Sequence, residues 1–105
     1  MLQHVVLFRF PVELSESEVD EMRSQLAAFV TEIEPVQTVR FGPTLMPDWA
    51  RGYQFLLYME LTDWDGLQTY LSHPAHGVFG KWTVDRGCEP VAFDYDIEQA
   101  TLRPS

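Results

Sequence analysis

His4-Val5-Val6-Leu7-Phe8-Arg9-Phe10, set against the run from Ser15 to Ile33 that follows it, decides the fold class. The first stretch is dense in β-branched and aromatic side chains and is bounded by Pro11, which predicts a strand. Side chains alternate across a strand, so His4 shares a face with Val6, Phe8 and Phe10, while Val5, Leu7 and Arg9 share the other. Ser15 and Glu18 then match the capping box, in which each side chain satisfies an orphaned backbone donor at a helix start. Val19, Met22, Leu26, Phe29, Val30 and Ile33 recur at three- and four-residue steps and stop before Pro35. A strand followed by an amphipathic helix opens the pattern.

Working outward, Val36 to Phe41 predicts a second strand, stopped by Gly42-Pro43, and Thr44 to Gly52 a loop. Tyr53 to Leu61 predicts a third strand, after which Thr62 or Asp63 caps a helix running through Leu67, Tyr70 and Leu71. Pro74 interrupts that helix, because proline lacks a donor and restricts the residue before it. Helix resumes from Ala75 to about Val84, Gly87 to Pro90 break it, and Val91 to Ile97 form a last strand before a loose tail, Thr101 to Ser105. The order β-α-β-β-α-β predicts an α+β, ferredoxin-like domain, a four-stranded antiparallel sheet with helices on one face. With no linker or repeat in its 105 residues, the chain is expected to be one domain, 1–105. The helix-free face of such a sheet also carries apolar side chains, so a second copy packed face to face is expected to cover it.

Composition narrows the partners. Seven basic against sixteen acidic side chains leave a net charge of −9, and the basic ones are scattered, which excludes a nucleic-acid footprint. The single Cys88 allows no intrachain disulfide and predicts a reducing compartment, the cytoplasm. Neither a membrane span nor a signal peptide is expected, since the apolar stretches are short and no basic segment leads one.

The candidate chemistry lies in the histidines, the side chains that most readily serve as acid and base near neutrality. Tyr70-Leu71-Ser72-His73-Pro74-Ala75-His76 places two of them around a proline that fits the first position of a helix, with His73 at its cap and His76 inside. His73 is open to a plain capping role, and His4 to that of a hydrogen-bonded core residue. A metal site needs a third ligand, which no spacing enforces, so none is expected. A nucleophile elbow and a glycine-rich phosphate loop are both missing.

Taken together, His4 to Phe10, Arg51-Gly52-Tyr53, the Tyr-x-x-His-Pro-x-His stretch from Tyr70 to His76, and Phe93-Asp94-Tyr95 resemble the stress-responsive dimeric α/β-barrel (Dabb) family over nearly the whole chain. The resemblance implies a homodimeric α/β barrel with a pocket between each sheet and its helices. It also implies kinship with polyketide cyclases of the olivetolic acid type, which close rings by intramolecular aldol chemistry without a cofactor. On that pattern His76 resembles the general base, Tyr70 the hydroxyl that stabilises the enolate, and His4 a first-strand histidine reaching the same site. The expected substrate-binding residues are His73, Phe8, Leu26, Phe29, Leu57 and Phe79, around an apolar polyketide or phenolic small molecule. The chain departs from the plant cyclase type at Tyr53-Gln54-Phe55-Leu56, where that type carries a further histidine. Two other functions fit the same residues: a small-molecule-binding stress protein without chemistry, and a cofactor-independent monooxygenase of a related barrel type.

Overall fold

The computed structural model describes residues 1–104. Its strands are β1 (Leu2–Arg9), β2 (Val36–Pro43), β3 (Phe55–Leu61) and β4 (Glu89–Asp96); its helices are α1 (Glu16–Glu32), α2 (Trp64–Ser72), α3 (Pro74–Asp85) and a short α4 (Ile97–Ala100). All strand pairs are antiparallel in the order β2-β3-β1-β4, the ferredoxin-like arrangement with its second helix split in two. Among the described residues, no helix is long and apolar enough to cross a membrane.

Local chemistry accounts for the boundaries. Ser15 accepts the Glu18 N–H while the Glu18 carboxylate accepts the Ser15 N–H, completing the capping box of α1. Asp63 caps α2 by accepting the Gly66 N–H at 2.8 Å. The break falls at His73, whose extended backbone (φ −71, ψ 140) is what a following proline imposes. It closes α2 with its N–H on the Tyr70 carbonyl and opens α3 with its ring nitrogen.

Several details depart from the sequence expectations. β2 runs on through Gly42 and Pro43, Pro47–Trp49 form a single 3-10 turn within the expected loop, β3 starts at Phe55 rather than Tyr53, and β4 starts at Glu89 rather than Val91. Phe10 lies outside β1, yet its backbone is satisfied by the side chain of Gln54, whose amide donates to the Phe10 carbonyl and accepts the Phe10 N–H. Val30 is exposed, because it is one step around the helix from the buried line Met22, Leu26, Phe29 and Ile33. Ile97 begins α4 rather than ending a strand, since Asp96 turns the chain by accepting the Gln99 N–H. Of the expected tail, Thr101 to Arg103 and Pro104 carry no regular structure, and Ser105 lies outside the described residues.

The core forms between the sheet and the helices. Val6 and Phe8 of β1 and Leu57, Met59 and Leu61 of β3 meet Met22, Leu26 and Phe29 of α1 and Tyr70, Phe79 and Trp82 from the split helix. The opposite face of the sheet is left uncovered by this chain, with Leu56, Val91 and Phe93 exposed upon it.

Candidate active site

His4 lies on the core face of β1, next in alternation to Val6, and is 5% exposed. Antiparallel pairing of β1 with β4 sets Asp94 directly opposite it. The two side chains meet at 2.5 Å between His4 Nδ1 and Asp94 Oδ1. A carboxylate only accepts, so the Nδ1 proton donates to Asp94 and Nε2 is left for other work. Asp94 makes the partner that a buried imidazole requires, and β1-β4 registry delivers it from the far end of the chain.

Tyr70, on the inward face of α2, sits between two imidazoles. Its ring is 5.5 Å edge-on from His4 and 4.7 Å from His76. The helix break creates the second contact: α3 restarts at Pro74, and His76 turns back so that its Nδ1 lies 3.1 Å from the Leu71 carbonyl. That carbonyl can only accept, so Nδ1 carries the proton and the Nε2 lone pair is free. Burial holds the His76 pKa below its ordinary value, outweighing the opposite pull of the bond to the Leu71 carbonyl, with the nearby His4 adding to the lowering, so the neutral, basic form prevails at neutral pH. Burial, reinforced by Asp94, raises the Tyr70 phenol above its ordinary range and keeps it a hydrogen-bond donor. Among the described residues, its hydroxyl has no protein hydrogen-bond partner. The cluster therefore unites a neutral base, an unspent phenolic donor and a histidine-carboxylate pair.

A model of the stress responsive A/B barrel domain (Dabb) matches residues 2–97. The chain belongs to this family. No curated protein matches it in sequence. Among solved structures, the Arabidopsis thaliana protein At3g17210 is similar at a TM-score of 0.84 and 22% identity, covering 97% of this chain and 100% of its own. A hydroxynitrile lyase from Passiflora edulis matches at a TM-score of 0.83 and 17% identity, with 96% of each chain covered. A dimeric protein of ferredoxin-like fold from Bacteroides fragilis matches at a TM-score of 0.77 and 22% identity, over 91% of this chain and 95% of that one. At such identities the likeness is one of fold.

In this Dabb domain the expected site residues fall into three groups. His4, Tyr70 and His76 come together as described. His73 does not join them: its Nδ1 accepts the Ala75 N–H at 3.1 Å, and its ring borders a separate cleft with Glu34, Pro35 and Thr69. Phe8, Leu26, Phe29, Leu57 and Phe79 are packed core, with Phe8 and Phe29 edge-on to Phe79 and Phe29 edge-on to Tyr70. Of the five, Phe29 also borders a surface cleft between α1 and α3.

Asp94 joins this cluster although the sequence reading does not name it as a candidate. Its signal was present in the Phe93-Asp94-Tyr95 stretch, an acid alternating with aromatics in a strand, but its partner follows only from which strands pair. Asp94 also links the cluster to the surface, since it borders a cleft of about 470 Å³ between the start of α2 and α4. Among the described residues, no group of three or more His, Cys, Asp and Glu side chains is arranged to hold a metal ion.

Proposed function

We propose that this Dabb domain is a cofactor-free, lyase-class catalyst that closes a ring by intramolecular aldol addition in a poly-β-keto substrate. The observation that supports it best is the His76 tautomer: with Nδ1 committed to the Leu71 carbonyl, Nε2 is a base held neutral by burial. It would remove a proton from a carbon lying between two carbonyls. Tyr70 would donate to the enolate oxygen as charge develops there. The enolate carbon then bonds to a second carbonyl carbon of the same molecule, and the alkoxide formed takes the proton back from His76. His4, its ring oriented by Asp94, would bind a further carbonyl from the other side of Tyr70. Phe8, Leu26, Phe29, Leu57 and Phe79 would form the apolar floor beneath the site, with His73 holding the start of α3. That a hydroxynitrile lyase shares the fold supports lyase chemistry on this scaffold.

The proposal includes a homodimer, joined through the uncovered sheet face, as dimeric relatives of the same fold support. The competing reading is a small-molecule-binding protein without chemistry. It is favoured by the depth of the cluster, in which Tyr70 is 1% exposed and packed on three sides by aromatic rings.

His76→Ala decides between them. Loss of a general base lowers turnover of a cyclising poly-β-keto thioester by about 10²–10⁴-fold while the melting temperature moves little. Unchanged turnover refutes the mechanism. Absence of any turnover in the unmodified protein, together with tight uptake of the same compound, establishes the binding reading, and oxygen consumption on a quinol establishes the monooxygenase.

A further inference from the structure

The cleft that Asp94 borders has features of its own. It measures about 470 Å³, enough for one ring system, and its walls are Leu2, Trp64, Asp94, Gln99 and Ala100 among others. Trp64 is the first residue of α2 and remains 64% exposed, a large flat side chain held out beside the cleft rather than drawn into the core. The backbone that carries it is held at two points. Asp63 caps the helix beneath it, and Gly66 sits so close to Pro35 and Thr62 that a Cβ there would approach Pro35 Cβ to 2.8 Å. The opposite wall, α4, is tied to the residue preceding β1 by a 2.9 Å bond from the Ile97 N–H to the Met1 carbonyl.

The polar lining is one-sided. Asp94 and Asp96 are its charged residues, and neither lysine nor arginine borders it. Asp96 already accepts the Gln99 N–H. Asp94 spends Oδ1 on His4, and among the described residues Oδ2 accepts from no protein donor. A carboxylate with a free oxygen accepts a hydroxyl readily and repels an anion.

We propose that this cleft is the mouth of the site. It admits a flat, uncharged ring bearing a hydroxyl, which lies against Trp64 and donates to Asp94, and so engages the His4 side of the cluster. Trp64 is then a specificity-determining residue, and an enol or phenol is the group selected. The proposal rests on the catalytic reading for what happens beyond the mouth, but binding at the mouth is measured separately.

Fluorine NMR of the fluorotryptophan-labelled protein separates its three tryptophans, with Trp64→Phe assigning the signal that matters. The probes are m-cresol, its methyl ether and m-toluate at millimolar concentration. The expected result is a saturable shift of the Trp64 signal with m-cresol, weaker by about tenfold for the ether, which cannot donate, and absent for the carboxylate. Asp94→Asn should abolish the preference for m-cresol over its ether. A stationary Trp64 signal, or m-toluate binding as well as m-cresol, overturns the proposal. The shift is read whether or not His76 turns anything over, so failure of the catalytic reading and failure of this one are separate results.

Discussion

Tyr70→Phe removes one oxygen from the most deeply buried part of the cluster, and the structure assigns that oxygen no stabilising contact. Had the hydroxyl been hydrogen-bonded to a protein group, its loss would cost about 1–3 kcal/mol, because the partner would be left unpaired. With no protein hydrogen-bond partner for the hydroxyl, the substitution leaves no group unpaired, and the oxygen it removes lies beside the His4 and His76 rings and near Asp94. The expected change is within about 1 kcal/mol of zero, or at most about 8 °C in Tm for a domain of this size. Activity should move the other way. Deleting a donor that stabilises a developing oxyanion costs about 10²–10³ in kcat. The substitution also reports on pH. Burial raises the folded-state pKa of Tyr70, so its contribution to stability is full below about pH 10, the unfolded value, and is lost as pH rises above it. Tyr70→Phe should flatten that alkaline loss. Urea titration followed by circular dichroism, repeated across pH, measures the stability, and product formation from a poly-β-keto thioester measures kcat. Destabilisation beyond about 1 kcal/mol would show a structural hydrogen bond at the hydroxyl, and an unaltered kcat would show that it plays no part in the chemistry; either refutes the reasoning.

Three further perturbations test other parts of the structure. Burial lowers the folded-state pKa of His76, so its contribution to stability is present above about pH 6.5 and lost as pH falls below it; kcat/KM should fall on the same acid limb, and His76→Gln should remove the limb from the stability profile. Gly66→Ala forces a Cβ within 2.5 Å of Thr62 Oγ1 and should cost about 1–3 kcal/mol by urea denaturation, whereas Gly77→Ala, with open space at its Cβ, should be neutral or stabilising by up to about 1 kcal/mol. Phe93→Glu places a charge on the uncovered sheet face and should yield a monomer by light scattering; a dimer that persists would exclude that face as the interface.

The elements were legible because their signals are local. The capping box at Ser15 and Glu18, the apolar spacing from Met22 to Ile33, and Pro74 each act within a turn or two of chain, and each appears in the structure as its chemistry requires. Val30 and Phe10 were misplaced for a related reason: a periodic pattern does not say which of two neighbouring apolar residues faces the core, nor that a distant Gln54 side chain will satisfy a strand end. Within the site, Tyr70 and His76 were named together only through the resemblance carried by the stretch from Tyr70 to His76, and the helix break at Pro74 is what brings their rings into contact, while the core role of the flanking phenylalanines follows only from how tightly α1 packs on the sheet.

Alone, the sequence determined the order of strands and helices, and that His4 shares a face of β1 with Val6 and Phe8. It could not determine what His4 would meet there. The answer is Asp94, ninety residues away, brought within 2.5 Å because β4 pairs with β1 in a register that sets the two directly opposite. Alternation and capping are properties of adjacent residues and survive in any fold, but strand partnership is a property of the whole sheet, set by the shared burial of its core face. The tertiary structure therefore decided how an isolated histidine became half of an acid-base pair, and where that pair opens to solvent.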